Sequence, residues 1–134
     1  MKKKIIISIC LVLVLVISLF AWFVVPKRLC NFDVSKVQKI TIFSGHVGKE
    51  IEITDENEIK NLMNNFNSVK MKKSSIEAFA MGYMYRVTIE TNFRKKEFIV
   101  DSKDHIRGSV FGYSVTEGDD GYDYIDNMFQ KFYD

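Results

Sequence analysis

This 134-residue chain has few residues that could cross-link its fold or restrict its backbone. It contains one proline, seven glycines and only two cysteines. Cys10 lies inside a long apolar run and Cys30 lies just after it, so the remaining hundred or so residues cannot form an internal disulfide. Cys30 is either a free thiol near a lipid surface, which is the favoured reading, or pairs with its copy in a second chain. The main domain must therefore be held together by its hydrophobic core.

The usual motifs of metal, cofactor and nucleophile chemistry are missing as well. A zinc site needs three or four His, Cys or carboxylate ligands, whereas His46 and His105 stand apart and no CxxC or HxxxH spacing occurs. The glycine patterns of P-loops, dinucleotide-binding folds and serine-hydrolase elbows are also absent. The sequence predicts no catalytic residue, no metal ligand and no bound cofactor.

One long apolar run is present instead. Residues 5–25 carry no charge, and sixteen of these 21 residues are Ile, Leu, Val or Phe. As a helix the run would be about 31 Å long, which matches a hydrocarbon core of about 30 Å. Trp22 lies near its end, where interfacial aromatics are common. We predict a cytoplasmic stub and transmembrane anchor over residues 1–28, a juxtamembrane linker over 29–34 and an extracytoplasmic domain over 35–134.

A cleaved secretory signal is the alternative to an anchor. Signal peptides have an apolar region of about 7–15 residues that ends at a site with small residues. Here the run is longer, and Leu19 occupies a position where a small residue belongs. An uncleaved single-pass anchor in the cell membrane is favoured. Three lysines precede it and two basic residues follow it, so the N-terminus is expected in the cytoplasm.

The charge balance argues against nucleic acid as a partner. The whole chain has 19 basic and 17 acidic residues, but five of the basic ones flank the apolar run. Fourteen basic residues then remain against 17 acidic ones, a net charge of −3. Nucleic-acid binding requires a basic domain.

Two kinds of periodicity alternate after residue 35. Strand patterns occur at residues 35–43, 48–54, 69–73, 82–91, 95–102, 104–108 and 109–115. Two segments instead place apolar residues at helical spacing, namely Ile59, Leu62, Met63 and Phe66, and then Ile125, Met128, Phe129 and Phe132. Thr54 or Asp55 is expected to cap the first helix, and Asp120 the second. The predicted fold is α+β, a mostly antiparallel sheet with two amphipathic helices packed on one face.

Two groups of residues are candidates for partner contact. Phe79 and Met81 lie in a predicted loop without clear periodicity, and exposed apolar loop residues often bind partners. The favoured alternative is that this loop folds back as a lid over the sheet edge. Lys72 and Lys73, with Lys95 and Lys96 of a later hairpin, would form a basic face if their strands were close. Such a face would attract an anionic envelope component, while a simply solvated face is the alternative.

The acidic segment 117–126 is the best candidate for ion chemistry. Its spacing departs from the EF-hand loop, because the third position from Asp119 is Gly121 and the sixth is Tyr124. A turn followed by an acidic first helical turn explains the same residues, since negative charge is favourable at a helix N-terminus.

The order of these features resembles a group of known proteins. A poly-lysine start, one anchor, the stretch KITIFSG…KEIEITDENEIKNLMNNF and a closing YDYIDNMFQKF are similar to small single-anchor extracytoplasmic proteins of unknown function from low-GC Gram-positive bacteria. The resemblance implies location and fold, and no catalytic residues. The leading hypothesis is a membrane-tethered, non-catalytic binding domain with a protein or anionic envelope partner. The alternatives are a cell-envelope enzyme or accessory subunit that uses residues 117–126, and an immunity or inhibitor protein.

Overall fold

A computed structural model describes residues 1–78 and 82–133 of the chain. The described helices are α1 (Lys2–Val24), α2 (Glu56–Ser68) and α3 (Tyr122–Phe129). The strands are β1 (Lys27–Arg28), β2 (Val37–Ser44), β3 (Lys49–Ile53), β4 (Lys70–Ile76), β5 (Tyr85–Thr91), β6 (Lys95–Ser102), β7 (His105–Arg107) and β8 (Phe111–Glu117). Short 3-10 turns occupy Val34–Lys36 and Gln130–Phe132. The α+β class predicted from the sequence is confirmed.

Helix α1 corresponds to the apolar run. It has 23 residues, is long and apolar enough to cross a membrane, and contains no buried residue. It ends at Val24, just before Pro26, which has no N–H to continue a helix.

The eight strands form one antiparallel sheet in the order β1-β4-β8-β7-β6-β5-β2-β3. Its inner face is apolar because side chains alternate along each strand. On β2 this alternation buries Ile40 and Ile42, and on β5 it buries Val87 and Ile89. The pairing of Ile40 with Ile89 and of Ile42 with Val87 places all four on the same face. We call the opposite side of the sheet, which carries Thr41 and Thr88, the outer face.

Helix α2 packs on the inner face through the four residues predicted from its periodicity. Ile59, Leu62, Met63 and Phe66 are all buried. The Phe66 ring meets the Phe98 ring of β6 edge-on at 5.2 Å. Asp55 is the N-cap, as predicted, and its carboxylate accepts hydrogen bonds from the N–H groups of Asn57 and Glu58.

Helix α3 covers another part of the same face. Its buried residues are Ile125 and Phe129, and the Phe129 ring stacks on Tyr85 of β5 at 5.2 Å. The Tyr85 hydroxyl donates a hydrogen bond to the carboxylate of Asp126 on α3 at 2.5 Å. The predicted cap differs in detail: the N-cap position is Gly121, with φ 76°, while Asp120 accepts from the Tyr122 N–H.

The segment predicted as a linker belongs to the core. Leu29, Cys30 and Phe32 are buried to between 1% and 7% exposure, and β1 pairs with β4 directly before them. The folded domain therefore begins at Lys27. We call residues 29–33 the crossing segment, because they lead from the β4 side of the inner face to the turn between β5 and β6.

The crossing segment has no regular secondary structure, so other groups must satisfy its buried backbone. The Leu29 N–H donates to the Val69 carbonyl at 3.1 Å, and the Leu29 carbonyl accepts from the Lys96 ammonium. The Asn67 side chain makes two bonds to Phe32, accepting from its N–H at 3.3 Å and donating to its carbonyl at 3.0 Å. The Arg94 guanidinium bonds the Asn31 carbonyl and lies 4.1 Å from the Phe32 ring centre.

We expect Asn67→Ala to lower the free energy of unfolding by about 1–3 kcal/mol, because it leaves two buried backbone groups of Phe32 without partners. Asn64→Ala is the matched control, since Asn64 is an exposed asparagine three residues earlier on α2. Its effect should stay within about 0.5 kcal/mol. Urea unfolding of the full chain in detergent micelles measures both. Equal stabilities would show that the crossing segment does not depend on this amide.

Candidate functional site

The outer face is a surface of the sheet that the described helices leave uncovered. Residues of β3, β2, β5 and β6 line a shallow groove of about 460 Å³ on it. A second depression of about 580 Å³ lies beside the first and shares Phe43 and Tyr83 with it. Strand alternation creates this face, because the residues that point away from the core are polar or charged.

Charges on the outer face are paired across neighbouring strands. Lys39 on β2 lies 3.5 Å from both Glu52 on β3 and Glu90 on β5. Glu90 also contacts Lys95 on β6 at 3.4 Å. The two carboxylates raise the pKa of the Lys39 ammonium. The result is a row of alternating charge that runs over four strands.

Aromatic and guanidinium groups adjoin this row. Arg86 lies 3.6 Å from Glu97, and its guanidinium carbon is 4.3 Å from the Tyr83 ring centre. Phe43 lies beside Tyr83, with ring centres 6.1 Å apart. At Gly45 a Cβ atom would collide with the Tyr83 carbonyl, so the close approach of these two segments requires glycine there.

Two further ion pairs were not predicted, and the first of them, between Arg107 and Asp101, lines the second depression. The buried Arg107 side chain lies 3.9 Å from Asp101 and bonds the Gly82 carbonyl. His105 Nε2 lies 3.2 Å from the Glu77 carboxylate. The signal was present in the sequence, because alternation along β6 and β7 places Asp101, His105 and Arg107 on one face. These pairs were not predicted because they depend on which strands and loops are neighbours, and β7 has only three residues.

The four candidate lysines do not come together. Strands β4 and β6 are separated by β8 and β7. Lys72 and Lys73 are neighbours on one strand and so point to opposite faces, as do Lys95 and Lys96. Lys73 contacts Trp22 of α1, and Lys96 bonds the crossing segment on the inner side. A single basic face built from these residues is therefore not formed. Phe79 and Met81, the other candidates, lie outside the described residues.

The acidic segment 117–126 serves mainly to build local structure. Asp119 accepts from the Gly121 N–H at 2.8 Å, and Asp123 lies 3.2 Å from Lys103. Glu117 pairs with Lys70 at 3.2 Å. Among residues 1–78 and 82–133, no three His, Cys, Asp or Glu side chains are grouped so that they could hold a metal ion.

Asp120 is the one buried carboxylate of this segment, with 1% exposure. One of its oxygens accepts from the Asp104 N–H at 2.8 Å and the other from the Tyr122 N–H at 3.0 Å. Burial raises the pKa of the Asp120 carboxyl, although both N–H groups act in the opposite direction. Asp120 thus ties the β6–β7 turn, where Asp104 has φ 65°, to the start of α3.

We expect Asp120→Asn to lower the free energy of unfolding by about 1–3 kcal/mol, because an amide NH₂ would face one of the two N–H donors. Asp119→Asn should change stability little, since Asp119 is exposed and an amide oxygen can still accept from Gly121. Thermal unfolding followed by circular dichroism compares the two variants. If Asp119→Asn were the more damaging, the structural role of Asp120 would be refuted.

The groups on the outer face are suited to binding, because they offer hydrogen bonds, paired charges and two aromatic rings to a partner. No protein-family model matches the sequence, and no curated protein or solved structure proved significantly similar to it.

Proposed function

We propose that this chain is a membrane-tethered binding domain, held at the cell membrane by α1, that presents its outer face to a protein or anionic partner outside the cytoplasm. The observation that carries the proposal is the outer face itself. It is a polar, grooved surface next to Phe43 and Tyr83, on a domain whose long apolar helix α1 has no buried residue.

Charge on the outer face favours recognition over catalysis. Its carboxylates and cations are engaged with one another at 3.4–3.6 Å, as Lys39 is with Glu90 and Arg86 with Glu97. Exposed pairs of this kind contribute only about 0–1 kcal/mol each to stability. A partner with complementary charges gains attraction and specificity from such a row, because a wrong partner places like charges together.

We expect a photo-crosslinking residue at position 43 to form a covalent product with a partner in cells. The same residue at position 64, on the exposed side of α2, should not form it. Arg86→Glu should abolish the product, because it replaces a cation of the outer face with a second negative charge beside Glu97. Lys60→Glu, a charge reversal on α2, is the matched control and should leave the product unchanged. A product that survives Arg86→Glu would contradict binding through the outer face.

The orientation of the anchor is tested separately. We expect a membrane-impermeant maleimide added to intact cells to label Lys49→Cys and to leave Lys3→Cys unlabelled, both in a Cys10→Ala background. Cys30 should not react with the maleimide, because it is buried and burial raises the pKa of its thiol to about 11. Labelling of position 3 alone would reverse the orientation, and loss of residue 3 from the mature chain would show that the anchor is cleaved.

A further inference from the structure

Two large apolar residues are exposed close to the point where α1 joins the domain. Ile76 ends β4 with 74% of its surface exposed, and Val110 lies just before β8 with 44% exposed. The two segments are joined by a hydrogen bond from the Glu77 N–H to the Val110 carbonyl at 2.7 Å. Both side chains therefore lie at the same end of the sheet, uncovered by the described residues of the domain, and we call these two residues the apolar patch.

The patch lies next to the membrane-spanning helix. Ile76 is paired with Phe111, and directly opposed residues of antiparallel strands point to the same face. The Phe111 ring meets the Trp22 ring edge-on at 5.9 Å. Trp22 is two residues from the end of α1. A tryptophan at this position in a membrane helix lies at headgroup depth.

Lys73 connects α1 to strand β4 of the sheet, close to the apolar patch. Its ammonium lies 3.6 Å from the Trp22 ring centre and donates a hydrogen bond to the Trp22 carbonyl at 3.4 Å. This carbonyl is one of the last four of α1, which have no partner within the helix and form the negative end of its dipole. A cation placed there is stabilising and restricts how the helix leaves the domain.

We propose that the end of the domain formed by Ile76, Val110 and Phe111 rests on the bilayer and inserts these side chains at headgroup level. The proposal deepens the membrane-tethered function above and depends on it. Continuity with α1 favours lipid as the occupant, because a protein partner would have to replace the headgroups that surround Trp22. Two lysines near this end of the domain, Lys73 and Lys27, would attract anionic headgroups. The Lys27 ammonium lies 3.3 Å from the Tyr113 hydroxyl.

The experiment uses the full chain reconstituted in vesicles of zwitterionic and anionic phospholipid. A polarity-sensitive fluorophore is attached at Ile76→Cys, at Val110→Cys or at Lys49→Cys in a Cys10→Ala, Cys30→Ala background. The first two positions should show blue-shifted emission that lipid-borne quenchers reduce. Position 49, on an exposed strand at the sheet's far edge, should show water-like emission without quenching.

Trp22 is the only tryptophan and reports on the anchor independently. Its quenching by brominated lipids shows that α1 is inserted. If Trp22 is quenched while positions 76 and 110 behave like position 49, the docking proposal fails and tethering stands. If Trp22 is not quenched, both the docking proposal and the membrane-tethered function fail.

Variants of the contact between Lys73 and Trp22 supply a second test. Lys73→Met should reduce the blue shift at position 76 while Trp22 quenching is retained, because the anchor is inserted but no longer held against β4. Lys72→Met is the matched control on the opposite face of the same strand and should have no effect. Equal blue shifts in the two variants would overturn the role given to Lys73.

Discussion

Covering one face of a wide sheet is the constraint on which this structure depends. Eight strands at about 4.8 Å spacing span roughly 34 Å, whereas two helices with side chains cover about 20–24 Å. Helix α3 is also short, with eight residues or about 12 Å of length. The remaining apolar surface must be buried by something else. The crossing segment does this with Leu29, Cys30 and Phe32.

The use of an irregular segment for this purpose explains several polar side chains on the inner side. A strand or helix would satisfy its own backbone, but residues 29–33 need donors and acceptors from their surroundings. Asn67, Lys96 and Arg94 supply them. Lys96 is accordingly half-buried, and its ammonium bonds the Leu29 carbonyl.

The sequence predicted the elements better than their arrangement. The spacing of Ile59, Leu62, Met63 and Phe66 identified α2 because a helix that buries one side must repeat its apolar residues every three or four positions. The outer face could not be read in the same way, since it depends on which strands are neighbours. Nothing local indicates that β4 pairs with β8, or that Glu77 meets His105. The crossing segment was predicted as a linker because residues 29–34 show neither strand nor helix periodicity and lie between the anchor and the first predicted strand.

The way the domain is attached limits how the outer face meets a partner. Helix α1 ends at Val24 and β1 begins at Lys27, so two residues, or at most about 7 Å of chain, separate them. Pairing of β1 with β4 and the contact of Lys73 with Trp22 leave this junction little freedom. A domain on a flexible linker samples many orientations and loses them on binding, which costs free energy. The short junction and its contacts restrict the orientation of the domain relative to α1. Under the proposed function, a partner anchored in the same membrane would meet the outer face with a smaller entropic cost than it would on a flexible linker.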